Sequence, residues 1–140
     1  MKSLVALVLS VAFLTFTGNV LAEEKAYVPK ENEVFYGTWV NMDYTLRAQK
    51  VVMNSDGTWG WAMSAKSEPY MKYTYELKEK WTDSEGNIWY KVRLKSHRGE
   101  EYALVKISNS GNTRESIFDS HEYPTKIDPE EDNYRIYHRQ

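Results

Sequence analysis

From Val34 to Arg139 the chain falls into short runs in which apolar and polar residues alternate, and this period of two limits the fold more than any other feature. Met71, Tyr73, Tyr75, Leu77 and Trp81 oppose Lys72, Thr74, Glu76, Lys78 and Lys80; Ile88, Tyr90, Val92 and Leu94 oppose Trp89, Lys91, Arg93 and Lys95. Trp59, Trp61 and Met63 alternate in the same way with Thr58, Gly60 and Ala62. Successive side chains of a strand point to opposite faces, so each run offers one face to a core and one to water. No segment beyond residue 22 keeps an apolar stripe at three- and four-residue spacing for three turns, and little helix is expected.

The runs are separated by residues that reverse a chain. Asn54-Ser-Asp-Gly57, Asp83-Ser-Glu-Gly-Asn87, Arg98-Gly99 and Ser110-Gly-Asn112 each bring a glycine to a break, and Asp-Gly is a strong hairpin signal. The predicted strands are Val34–Tyr44, Ala48–Met53, Thr58–Ser64, Tyr70–Trp81, Ile88–Lys95, Glu101–Ser108, Thr113–Asp119 and Asn133–Arg139. Short connections make neighbours pair antiparallel in a meander. An open sheet of this kind leaves two unpaired edges, and closure removes both. The expected architecture is therefore all-β, a single eight-stranded antiparallel up-and-down barrel. A two-layer sandwich would need crossover connections that these tight turns disfavour.

Residues 1–22 stand apart from this pattern. Lys2 gives a positive start, Leu4 to Phe16 are apolar, and Val20-Leu21-Ala22 is a small-residue ending, the form of a secretory signal cleaved after Ala22. The apolar stretch is shorter than the roughly 20 residues of a membrane-spanning helix. Residues 23–33 are polar, contain Pro29 and show no apolar period, and are expected to form a flexible leader before a barrel domain at 34–140. The product is expected outside the cytoplasm, secreted or periplasmic, with no integral membrane segment.

Composition then narrows the chemistry. There is no cysteine, which excludes disulfides, thiolate metal sites and a thiol nucleophile. A formal charge of −2 lacks the positive footprint of a nucleic-acid binder. All the aromatic residues but Phe13 and Phe16 lie beyond the signal, so the core must be built largely from rings.

Phe35-Tyr-Gly-Thr-Trp39 opens the first run, and Tyr134-Arg-Ile-Tyr-His-Arg139 forms the last. The Gly-x-Trp at 37–39 resembles the motif that begins the first strand in lipocalins and related calycin barrels, and the chain is similar to small secreted bacterial domains of that kind whose role is unassigned. The resemblance extends over about residues 34–139 and implies a basic residue laid across the tryptophan. The Thr-Asp-x-x-Tyr motif and the C-terminal helix of roomier lipocalins are absent from the sequence. Independently of the family, Gly37 allows a close approach at the barrel end, Trp39 plugs it, and Arg135 or Arg139, with Arg139 preferred, closes over the ring.

An eight-stranded barrel stands between an interior filled by its own side chains and one that admits a small ligand. The candidate ligand-lining residues are Trp61, Met63, Tyr73, Tyr75, Tyr90 and Tyr102, which combine apolar rings, a thioether and orienting phenols; the same residues would equally well pack on one another. Lys72, Lys78, Lys80, Lys91, Arg93 and Lys95 are assigned to the outer face, interleaved with Glu76 and Glu79, together with Trp89. His97, His121 and His138 are dispersed, and Asp128, Glu130, Glu131 and Asp132 lack the glycine and distal glutamate of a calcium loop, so no catalytic residue, metal or cofactor is assigned. The expected function is non-catalytic binding of a small apolar or amphipathic molecule in the interior. The alternative is a solid barrel that recognises a protein partner through its outer face or rim, as an envelope inhibitor or assembly factor.

Overall fold

The computed structural model describes residues 26–43 and 48–140; the signal sequence assigned to 1–22 lies outside the described residues. Eight strands follow one another: β1 (Gly37–Val40), β2 (Lys50–Met53), β3 (Thr58–Ala62), β4 (Tyr70–Thr82), β5 (Ile88–Ser96), β6 (Gly99–Ile107), β7 (Thr113–Asp119) and β8 (Tyr134–Arg139). Each pairs antiparallel with the next, and β8 returns to β1 with Arg139 opposite Trp39 and His138 opposite Val40. The sheet is a closed eight-stranded antiparallel barrel, consistent with a lipocalin-like fold. Closure gives each of the eight described strands a hydrogen-bonded neighbour on both sides.

Antiparallel order gathers the turns at 54–57, 83–87 and 108–112 at one end, here the floor, with the connections at 97–98 and 120–133 at the other. The floor turns are built by side chains as well as by glycine. Asp83 accepts hydrogen bonds from the amides of Glu85 and Asn87 and from the Trp89 indole, at 2.9, 3.0 and 2.8 Å. Gly60 answers a different demand. A Cβ there would strike the Tyr70 carbonyl, where the β3–β4 register is irregular, so the two backbones meet only because the side chain is missing.

The alternation read from the sequence holds along β5 and fails within β4. Leu77 faces Val92 and Lys80 faces Tyr90, with a register shift between Leu77 and Glu79 that leaves one more residue on β4 than on β5. Such a bulge reverses the faces of everything beyond it. Lys80, expected outside, therefore points inward, and Trp81, expected inside, points outward. There Trp81 stacks on Trp89 with ring centroids 5.9 Å apart and planes 9° from parallel.

β1 is also shorter than the run Val34–Tyr44 suggests, because the chain turns before it, the Tyr36 amide donating to the Glu33 carbonyl at 3.1 Å. Tyr27, Val34, Phe35 and Tyr36 of the preceding segment pack on the core at the floor. Phe35 is fully buried between Tyr75 and Tyr90, with both centroid distances 5.3 Å. The leader expected to be flexible up to residue 33 is tied to the barrel by Glu33. Phe35, Trp39, Leu77, Tyr90, Val92, Val105 and Ile107 fill the floor half of the interior.

Candidate functional site

Above that packed half the interior is open. A cavity of about 680 Å³ is bordered by Val51 and Met53 of β2, Trp59 and Trp61 of β3, Leu94 of β5, Glu101 of β6, Arg114 and Phe118 of β7, and Arg135 and Tyr137 of β8. Ser96, His97, Arg98, Asp132 and Asn133 come from the end opposite the floor, and Ala48 from the chain leading into β2. The volume lies within the range of small-molecule sites. Inward positions follow directly from register: Arg114 faces Ile107 on one side and Tyr137 on the other, while Ser116 faces Val105 and Arg135.

Of the six residues read as ligand-lining, Trp61 is on the cavity wall. Met63 lies just past the end of β3 and is 69% exposed. Tyr73 packs on Trp59 and shares a 3.3 Å hydrogen bond with His97 Nδ1. Tyr75 is buried under the cavity, its hydroxyl donating to the Asn54 carbonyl. Tyr90 is wholly buried at the floor. Tyr102 pairs with Arg93 on the outer face and meets the Tyr123 ring edge-on at 5.0 Å. An outward position follows for Tyr102 because Ala103 and Val105 take the inward places on β6.

The barrel end is closed by Gly37, Trp39 and Arg139. The Arg139 guanidinium lies over the fully buried Trp39 ring, 4.1 Å from its centroid. Its Nε donates to the Gly111 carbonyl at 3.1 Å, and its terminal nitrogens to those of Tyr36 and Val34 at 2.6 and 2.7 Å. Gly37 has φ +125°, and a Cβ on it would lie 2.6 Å from the same guanidinium. The glycine is required by both conformation and space. Arg135, the other arginine weighed for this place, faces the cavity and donates to the carbonyls of Asp132 and Tyr134, both at 2.7 Å.

Glu33 is the other built charge at the floor, its side chain without solvent exposure. It accepts from the Lys30 amide at 2.8 Å, the Tyr90 hydroxyl at 2.9 Å, the Lys80 ammonium at 2.9 Å and the Tyr27 hydroxyl. Burial pushes the carboxyl up, but the Lys30 amide, Lys80, Tyr27 and Tyr90 together outweigh it and hold the group down at about 2. Burial beside this carboxylate raises the Tyr90 phenol well above its ordinary range.

Arg114 has none of these partners. It is 2% exposed, borders the cavity, and lies over the rings of Phe35 and Tyr137 at 5.3 and 5.9 Å. Its Nε is buried with no acceptor, and no hydrogen bond or ion pair reaches the guanidinium among the described residues. Burial draws it down to about 10, against the opposing influence of the Tyr137 and Tyr75 phenols, so it stays charged at neutral pH. The Ser116 hydroxyl, next along the inward face of β7, is likewise buried and unpartnered. Sequence reasoning passed over both. The run Thr113–Asp119 has Ile117 and Phe118 side by side, so its alternation fits either facing; the usable signal was that Arg114 and Ser116 share parity with Phe118.

The outer charges are interleaved. Lys78 meets Glu76, Lys91 meets Glu79, and Arg93 and Lys95 both meet Glu100. His121 and His138 lie apart, the latter with its Nδ1 3.4 Å from the Thr113 hydroxyl. Among the described residues no three His, Asp or Glu side chains stand together as a metal site. A scan against protein-family models and searches of curated proteins and of solved structures return no match to this chain.

Proposed function

We propose that this chain is a non-catalytic binding protein of the calycin kind, secreted or periplasmic after loss of its signal, that holds a small apolar or amphipathic molecule inside the barrel. The observation that carries this reading is the 680 Å³ cavity, walled by Met53, Trp59, Trp61, Leu94 and Phe118. A pocket of this size removes most of a small molecule's apolar surface from water, at about 25 cal/mol per Å² of apolar area. No covalent step is needed for such a role.

Native mass spectrometry of protein purified from its own source tests it: a retained small molecule is the expected result. Failure of the folded protein to retain any such molecule, or to enhance the fluorescence of an apolar dye, would count against it. A second reading, recognition of a protein through the outer face, draws on the stacked Trp81 and Trp89, with Lys106 5.6 Å from the Trp89 ring. Co-purification of a protein partner that Trp81→Ser abolishes would favour that reading instead.

A further inference from the structure

Resting on that reading of the cavity, we propose that its ligand is an amphiphile with a single anionic group, a carboxylate or sulfonate, received by Arg114 at the base of the cavity while the apolar body lies between Trp61 and Phe118. A buried charge ordinarily has a partner, because taking an ion out of water without one is costly. Two other charges drawn into the barrel obey this rule: Lys80 meets Glu33, and Arg139 has three carbonyls. Among the described residues of the cavity wall, Arg114 alone has a buried Nε without an acceptor.

The chemistry of the missing partner follows from the donor. A guanidinium presents N–H groups in a planar fork that fits the two oxygens of a carboxylate or sulfonate, and it offers no acceptor. A cationic ligand would meet this charge across a poorly screened interior, and a neutral acceptor would take its N–H bonds without the charge-assisted strength of a carboxylate or sulfonate. Ser116 supplies a second unsatisfied hydroxyl on the same strand face. The wall also carries two further arginines, Arg98 and Arg135, and two acids, Glu101 and Asp132. Glu101 accepts from the Ser96 hydroxyl at 3.4 Å, and neither carboxylate reaches Arg114.

Two fluorescent probes that differ only in the anionic group test this directly. The full chain is titrated with 8-anilinonaphthalene-1-sulfonate and with N-phenyl-1-naphthylamine, using decanoate as a non-fluorescent competitor. Wild type should bind the sulfonate at least about tenfold more tightly than the neutral probe, the ratio expected for one charge-assisted pair. Arg114→Met should erase that preference while retaining the neutral probe, and Arg114→Lys should keep part of it, having the charge without the fork. Decanoate should displace the sulfonate from wild type. Equal affinity for the two probes in wild type, or a preference unchanged in Arg114→Met, would overturn the anionic proposal and leave the container reading standing. Uptake of neither probe would bring down both. Should Arg114→Met not fold, the wild-type ratio and Arg114→Lys still decide.

Discussion

Arg114 and Arg139 stand inside the same barrel, and the contrast between them separates architecture from function. Arg139 is held by three carbonyls and a tryptophan face, and its neighbour Gly37 has no side chain to obstruct it. Arg114 has two aromatic faces beneath it and no acceptor. A satisfied buried charge stabilises the fold that surrounds it, whereas an unsatisfied one is a standing cost that the folded protein carries until something binds. The floor's charges are partnered from within the chain; Arg114 in the cavity half is not.

The largest effect should come from removing the ring on which Arg139 rests. Trp39→Ala leaves a cavity in a fully packed region and should cost about 3–5 kcal/mol in chemical denaturation, with a smaller change in probe affinity. Full stability combined with lost binding would contradict its structural role. Arg139→Met should cost about 2 kcal/mol, since three half-buried carbonyls lose their donor. Arg114→Met should stay within about 1 kcal/mol of wild type, on the stabilising side, because removal of an unpaired charge offsets the lost ring contacts. Similar losses for the two arginine variants would erase the distinction between the two halves.

Glu33 sharpens the same contrast through pH. Its folded-state value of about 2 lies below the ordinary 4.5, so its contribution to stability is complete above about pH 4.5 and is lost as pH falls toward 2. Glu33→Gln should cost about 2 kcal/mol near neutrality and flatten the acid limb of the stability profile across that window. Pairing it with Lys80→Met in a double-mutant cycle isolates the ion pair from the hydrogen bonds of Tyr27 and Tyr90. An unchanged acid limb would show that Glu33 is not the titrating group.

What the sequence disclosed and what it concealed divide along physical lines. Strand number, order and closure were legible because alternation and turn residues are local signals, and the observed bounds differ from the expected ones mostly by a few residues. The facing of Trp81 and Lys80 was not, since one extra residue near Lys78 leaves no mark on a pattern read two residues at a time. Glu33 was hidden for another reason. Its partners Tyr90 and Lys80 are 57 and 47 residues away, and a polar leader gives no sign that one carboxylate will be drawn inside. The cavity itself was undetermined at that level, because the same inward rings can fill a barrel or line it. Arg114 decides what the cavity offers, and its inward place depended on which face of β7 turned in.

The smallest expected effect is on the outside. Trp81→Ser removes a stacked partner from Trp89 at a position 39% exposed, and an aromatic pair of this kind contributes about 0.5–1 kcal/mol. Trp89 keeps its bond to Asp83 and its neighbour Lys106, so the turn at 83–87 should hold. Probe uptake should be unchanged, because the bulge places this ring on the face away from the cavity. Thermal denaturation and probe titration of the same preparation check both halves of that expectation. A loss of uptake equal to that of Arg114→Met would mean that the outer tryptophans serve the interior site, and the division between a partnered floor and an open cavity would then need a third, external component.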